Sequence, residues 1–242
     1  MLELNKIHHG DCLDLMKDIS DSSISMILCD LPYQVTALKW DKVIPFEPLW
    51  EQYERIIKDD GAIVLTASQP FTSALVMSKP QYFRHEWIWN KKMGSNFFNV
   101  KHQPLKVHES ILVFSKKKAQ YYPSMRKGKM RNKGNGKDYD DGIFKSYKNT
   151  KSRNDLYYPI SILEYSNANR KNKLHPTQKN ADLFEYLIRT YTKDENAIVL
   201  DNCIGSGTTA IAALRCGRNF IGIEKDAAYV EIANNRIAEI RG

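Results

Sequence analysis

Apolar residues in this chain cluster in two ways. Short unbroken runs with sharp ends occupy residues 25–29, 62–66, 111–114, 197–200 and 220–223. Their length, and the lack of a polar side, predict strands buried on both faces. Residues 85–90 alternate like a strand, with Trp87 and Trp89 on one side, and residues 6–9 add a short strand. Between these lie segments of helical spacing. Leu49, Trp50, Tyr53, Ile56 and Ile57 mark a helix over 46–58. Leu183, Phe184, Leu187, Ile188 and Tyr191 mark another, and Tyr229, Ile232, Ala233, Ile237 and Ile240 a last one. Shorter helices are expected at 11–19 and at 69–77, the latter with Pro70 in its first turn. Strand and helix alternate. This predicts an α/β fold: a doubly wound, mostly parallel sheet with helices on both faces, plus an insertion where the pattern breaks.

Two of the strands end in residues that carry chemistry. The run at 25–29 stops at Asp30-Leu31-Pro32-Tyr33, where the proline ends the strand and forces a turn. The run at 197–200 stops at Asp201 and enters Asn202-Cys203-Ile204-Gly205-Ser206-Gly207-Thr208-Thr209, a glycine loop that leads into a helix. Gly205 permits a tight turn, and Gly207 lets backbone approach a ligand. The next strand ends at Glu224, 17 residues after Gly207, where a carboxylate can accept hydrogen bonds from both hydroxyls of a ribose. Only 18 residues follow Glu224, enough for one helix and no further strand. The nucleotide-binding half therefore comes last, and the remaining strands come from upstream. Ligands of open parallel sheets bind at the carboxyl ends of strands near the switch in strand order, so Asp30 and Asp201 are expected to face one crevice.

Charge locates the insertion. The chain carries +8, but residues 116–173 hold 16 Lys and Arg against 5 Asp and Glu, leaving −3 for the rest. The run 126–137 is basic and glycine-rich without apolar periodicity and reads as a mobile loop. Tyrosines at 121, 122, 139, 147, 157, 158 and 165 are scattered through it. Lysines and arginines with interleaved tyrosines suit nucleic acid. Lys116, Lys117, Arg126, Lys127, Lys129, Arg131 and Lys133 are the candidate nucleic-acid contacts. This divides the chain into a catalytic half (1–115), a basic insertion (116–173) and a cofactor half (174–242). Cys12, Cys29, Cys203 and Cys216 have no paired spacing, which favours reduced thiols in a cytoplasmic protein over a disulfide framework or a metal site. No apolar run reaches the roughly 20 residues of a membrane span, and the first residues do not read as a signal peptide.

The motifs together resemble the beta class of amino-group DNA methyltransferases. That family usually carries Asp/Asn/Ser-Pro-Pro-Tyr/Phe where this chain has Asp30-Leu31-Pro32-Tyr33. Its usual Asp-Pro-Phe-x-Gly-x-Gly-Thr-Thr stands here as residues 201–209. His175-Pro176-Thr177-Gln178-Lys179 is a third match, placed before the helix that precedes the cofactor strand. The order of the three motifs is also the family's. The resemblance implies a permuted methyltransferase fold and transfer of a methyl group from S-adenosylmethionine to an exocyclic amine of a flipped-out base in double-stranded DNA. It implies catalytic roles for Asp30, Leu31 (through its carbonyl), Pro32 and Tyr33, with Tyr33 stacking on the base. It assigns the cofactor to Asp11, Cys12, Thr177, Gln178, Lys179, Asp201, Asn202, Cys203, Gly205, Ser206, Gly207, Thr208 and Glu224, with no metal. Trp40 and Asp41 are candidates for shaping the base pocket. The chain departs from the family at Leu31, which still offers a carbonyl, and at Asn202-Cys203, which replace a proline and a bulky ring.

An exocyclic amine is a poor nucleophile because its lone pair is delocalised into the ring. Hydrogen bonds from it to Asp30 and the Leu31 carbonyl localise that pair. The base must leave the stack to be reached. No covalent intermediate is needed, so Cys29 reads as strand core. An initial Asp goes mostly with adenine in the family, which favours adenine N6 over cytosine N4. A bacterial or phage origin, a cognate restriction endonuclease as partner, and a monomer or homodimer accompany that reading. The rivals are a NAD-dependent oxidoreductase, since Gly205-x-Gly207-x-x-Ala210 also fits a dinucleotide fingerprint, and a non-catalytic nucleic-acid-binding protein.

Overall fold

The computed structural model of the chain describes residues 2–33, 43–133, 139–140, 145–146, 152–166 and 179–242. Its elements in order are β1 (Lys6–His9), α1 (Cys12–Leu15), β2 (Ile24–Asp30), α2 (Phe46–Ile56), β3 (Ile57–Ala67), α3 (Phe71–Ser78), β4 (Phe83–Ser95) and β5 (Lys106–Phe114). Then come β6 (Arg126–Lys133), β7 (Tyr139–Asp140), β8 (Lys145–Ser146), β9 (Ser152–Tyr157) and β10 (Ile162–Glu164). The last are α4 (Ala181–Tyr191), β11 (Ile198–Asp201), α5 (Thr208–Arg215), β12 (Asn219–Glu224) and α6 (Ala227–Arg241).

Eight strands form one sheet in the order β1-β12-β11-β2-β3-β5-β4-β10. Every neighbouring pair is parallel except those made by β5, which runs antiparallel to both β3 and β4. The apolar runs are short because each strand is covered on both faces. Ile27 and Cys29 of β2 join a cluster with α1, α2 and α3. Met26 and Leu28 join a second cluster with α4, α5 and Ile237 of α6. Each fully buried aliphatic side chain contributes roughly 1.5–3 kcal/mol. Helix starts are fixed locally: Asn180 accepts from the Leu183 amide at 3.1 Å and Asp226 from the Ala228 amide at 2.9 Å.

The strand order reverses between β11 and β2. From β11 the chain crosses through α5 to β12 on one side, and from β2 it crosses through α2 to β3 on the other. Asp201 and Asp30 end these two adjacent parallel strands. A crevice at the carboxyl ends follows from topology alone.

Three differences from the sequence reading have physical causes. β3 starts at Ile57, so Asp59-Asp60-Gly61 lies inside the strand rather than ending a helix. Ile57 pairs with Ile24 and Ala62 with Met26, and the irregularity between Ile24 and Met26 of β2 absorbs the polar stretch. β4 and β5 form an antiparallel hairpin with no crossover helix, where a strict strand–helix alternation was expected. The basic run at 126–137 is not a loop throughout: β6 pairs antiparallel with β9. Residues 123–160 form a compact unit of their own, and residues 1–122 with 161–242 form the other. Within the smaller unit the Arg131 guanidinium lies 3.5 Å from the Tyr157 ring centroid, and the Tyr157 hydroxyl donates to the Lys129 carbonyl at 2.9 Å. Stacking and hydrogen bonding there replace the apolar periodicity that the sequence lacks.

Gly207 has φ +84°, and a Cβ built on it would lie 3.0 Å from the Ala233 Cβ and 3.3 Å from its Cα, on α6. The positive φ and the close helix both require glycine. Gly207→Ala is expected to lower the unfolding free energy by about 1–3 kcal/mol, measured by urea denaturation. An unchanged midpoint would remove this packing requirement.

Candidate active site

Asp30 ends β2 with three donors on a single oxygen. The Tyr33 hydroxyl donates to Oδ1 at 2.6 Å, the Thr66 hydroxyl donates to Oδ1, and the Lys179 ammonium lies 3.0 Å from Oδ1. Among the described residues the partners of Asp30 all fall on Oδ1, which leaves Oδ2 for another group. Thr66 reaches it because β3 pairs Thr66 opposite Asp30. The Leu31 side chain is buried in the α1–α3 cluster, so an apolar anchor holds the turn where a proline was expected. One face of the Tyr33 ring stacks on Phe71, with centroids 5.3 Å apart and planes at 27°. Burial first, and then the charge of Asp30, push the Tyr33 phenol well above its usual range, so it acts as a donor.

Lys179 links this carboxylate to a second one. Its Nζ is 3.0 Å from Asp30 Oδ1, 3.0 Å from Glu109 Oε2 and 3.3 Å from the Tyr33 hydroxyl. Glu109 Oε1 in turn accepts from Lys91 Nζ at 2.9 Å. Lys179, Glu109 and Lys91 are 9%, 15% and 12% exposed, so a row of alternating charges is withdrawn from water. Burial alone would discharge Lys179. The charges of Asp30 and Glu109, with the Tyr33 phenol, outweigh it and hold the ammonium well above the ordinary lysine range. Burial would likewise raise Glu109, but Lys179 and Lys91 hold it down at about 2.

The second strand tip is braced rather than open. Asp201 is buried. It accepts from the Cys203 amide at 3.0 Å and from the Thr209 hydroxyl, and burial pushes it up to about 7 despite these donors. Asn202 is buried and accepts from the Tyr53 hydroxyl of α2 at 2.6 Å. Ser206, Thr208 and Thr209 are buried too, and the Ser206 hydroxyl accepts from Arg236 of α6 at 3.0 Å. Glu224 is the group that remains half-exposed. Its Oε2 accepts from the Gly205 amide at 2.8 Å and its Oε1 from the Asp226 amide at 2.9 Å. Burial raises its pKa, and those amides offset part of the rise. Asp11 caps α1 through the Leu13 amide at 3.0 Å and pairs with Lys225 at 2.9 Å, beside Glu224 in sequence. The thiols of Cys12, Cys29 and Cys203 interact with one another. Burial pushes Cys29 up to about 12, and its contact with Cys203, then burial, push Cys12 up as well. Neither is a ready thiolate nucleophile.

The structure thus brings Asp30, Tyr33 and Lys179 together at one tip, and Gly205, Gly207 and Glu224 at the other. Lys179, expected near the cofactor, pairs with Asp30 and Glu109. Asp201, Asn202 and Ser206 turn inward and hold the loop, and Thr208 is buried. Lys116 and Lys117 pair with Asp59 at 3.1 and 2.6 Å, beyond the end of β5 that lies opposite the Asp30 edge of the sheet, so they do not join this site. Arg126, Lys127, Lys129, Arg131 and Lys133 lie on β6. Thr177, Gln178, Trp40 and Asp41 lie outside the described residues. Sequence reasoning missed Thr66, Lys91 and Glu109. Thr66 closes an apolar run and Glu109 precedes one, and neither position carries a motif.

The fold thus sets a glycine loop with a glutamate at its side next to a separate carboxylate-bearing strand tip. The family model described as DNA methylase, covering N6 and N4 methyltransferases, matches residues 24–235, and the chain belongs to that family. It is a DNA methyltransferase of the adenine-N6 or cytosine-N4 class. It is 30% identical over 256 residues to the type II methyltransferase M1.MboII of Moraxella bovis, spanning 97% of this chain and 96% of that one. It is 27% identical to the type II methyltransferase M.HinfI of Haemophilus influenzae, spanning 98% and 69%. The crystal structure of an M1.HpyAVI–SAM complex is similar with TM-score 0.65 at 25% identity, over 96% and 98% of the two chains. Among the described residues no helix is long and apolar enough to cross a membrane.

Glu109 ionises more readily in the fold than its ordinary value of 4.5. Its stabilisation is therefore complete above that value and lost as pH falls towards about 2. Glu109→Gln is expected to cost about 3 kcal/mol at pH 7 by leaving buried ammoniums uncompensated. The gap to wild type narrows below about pH 4.5 in denaturant titrations. A gap independent of pH would show that Glu109 does not act as a charge.

Proposed function

We propose that this chain transfers a methyl group from S-adenosylmethionine to the N6 amine of adenine, at a specific sequence in double-stranded DNA, with the target base turned out of the helix. The observation that carries the reading is the one-sided loading of Asp30: Oδ1 is held by Thr66, Tyr33 and Lys179, and among the described residues none holds Oδ2, where an N–H donor can bind. The initial Asp of the tetrapeptide favours adenine, as in the family this chain resembles.

The residues present fit the cofactor. Glu224 has both oxygens oriented by backbone amides, with lone pairs to spare for a ribose diol. Gly205 and Gly207, both at positive φ, bring backbone to the methionine part, and Asp11 stands by the Glu224 tip. When bound, S-adenosylmethionine supplies the methyl group as an electrophile on a positively charged sulfur. Asp30 Oδ2 and the Leu31 carbonyl accept the two N–H bonds of the base amine and turn its lone pair outward. As nitrogen gains positive charge, Asp30 Oδ2 is placed to take the surplus proton. The lysine and two hydroxyls on Oδ1 keep the carboxylate from rotating, so the gain is positioning and electrostatics. Ser206, Asn202 and Asp201 act on the cofactor only through the loop they hold. The named relatives are type II methyltransferases, and we place the chain as the modification partner of a restriction nuclease in a bacterial cytoplasm.

Asp30→Ala is expected to lower kcat by about 10²-fold or more while the affinity for S-adenosylmethionine stays near wild type. Near-normal turnover would refute the assignment. Digesting methylated DNA to nucleosides reads the target directly: N6-methyladenine is expected, and N4-methylcytosine would overturn the adenine reading alone. Lys179→Met separates two roles. A fall in kcat of about tenfold at unchanged cofactor affinity is expected from its pairing with Asp30. Weakened cofactor binding with normal kcat would place it on the cofactor instead.

A further inference from the structure

The β4–β5 hairpin projects past the catalytic edge of the sheet. β3 makes its last pair with β5 at Ala67–Ser110, one residue beyond the level of Asp30 and Thr66. β4 and β5 continue to pair through Trp89–Glu109 and Asn90–His108 to Ser95–Lys106. The arm's root is the Lys91–Glu109 pair, which Lys179 joins to Asp30. Its tip turns at Asn96, in the left-handed region with φ +71°, into a single turn over Phe97–Asn99. Phe97 is 57% and Phe98 102% exposed, and Val100, Leu105 and Val107 are exposed with them.

A contiguous apolar tip of this kind marks a surface that something covers. The charge around it says what. Residues 91–108 contain four lysines and no acid; Lys91 at the root is paired with Glu109 and Lys92 with the exposed Glu164, which leaves Lys101 and Lys106 as the arm's net positive charge among the described residues. A second copy of the same arm would set like charges against each other. A nucleic-acid duplex offers phosphates to the lysines and base faces to the rings. We propose that this arm grips DNA beside the active site and that Phe98, backed by Phe97, wedges into the base stack at the gap left by the flipped target. Lys101 and Lys92 reach the flanking phosphates; Lys92 exchanges its exposed pair with Glu164, at 3.1 Å, for one of them. Unstacking by apolar side chains is a general device for opening a duplex. The inference rests on the proposed DNA methylation, and it places a DNA contact in the same compact unit as Asp30.

The test uses the full-length protein and a duplex bearing its mapped site, with the target base either paired normally or opposite an abasic position. Phe98→Ala is expected to lower kcat/KM by about tenfold or more on the paired duplex. On the abasic duplex, where the target is already loosened, it is expected to stay within about threefold of wild type. The melting temperature and S-adenosylmethionine affinity are expected to be unchanged. No loss on the paired duplex, or an equal loss on both, overturns the wedge. A change in sedimentation without a change in rate assigns the tip to self-association and overturns it too. Failure of the wild type to methylate any DNA defeats the functional reading; a methylating wild type matched by Phe98→Ala defeats only this one.

Discussion

Lys179 carries its charge inside the protein, and it does so only because Asp30 and Glu109 lie on either side of it. An ammonium withdrawn from water without such partners would give up its proton. The condition is reciprocal, since each carboxylate would be costly to bury without the lysine between them. This mutual requirement draws three distant stretches to one point: the end of β2, the start of β5 and the residues just before α4. Orientation of the Asp30 carboxylate is then a by-product of charge balance. Such a cluster adds little net stability compared with apolar packing, but it tolerates very few geometries. A methyl acceptor site needs that narrowness more than it needs stability.

The two strand tips differ in how they are built. At the β2 tip, polar side chains converge on the Asp30 carboxylate, the acceptor site of the proposed function. At the β11 tip, most polar side chains point away from it, into Tyr53, Arg236, Thr209 and backbone amides, and only Glu224 and bare backbone are left facing outward. A cofactor held by backbone needs a rigid loop, and the buried hydrogen bonds supply rigidity without competing for the ligand.

Much of this was legible in the sequence. The strand tips follow from where apolar runs stop, and the reversal of strand order between them follows from the two acid-ended runs and the glycine loop. Asp30, Gly205, Gly207 and Glu224 were visible because strand ends and glycine turns have local signatures. The inward orientation of Asp201, Asn202, Ser206 and Thr208 was not, because a motif records which residues line a loop and not which way they face. Glu109 and Lys91 were invisible for another reason: they acquire meaning only when an antiparallel hairpin pairs them with each other and Glu109 meets a lysine 70 residues on. The strand character of residues 126–133 was missed because arginine stacked on tyrosine leaves no apolar rhythm to read.

The hydrogen bond between Tyr53 and Asn202 spans 149 residues of sequence and joins the helix that leaves the catalytic half to the loop of the other half. A proline at position 202 would have no side-chain amide to offer the Tyr53 phenol. Position 53 and position 202 depend on each other in this chain: a change at either one alone leaves a buried polar group without its partner. A chimaera assembled from two such enzymes, with the cut anywhere between these residues, inherits a mismatch even when every catalytic motif is intact.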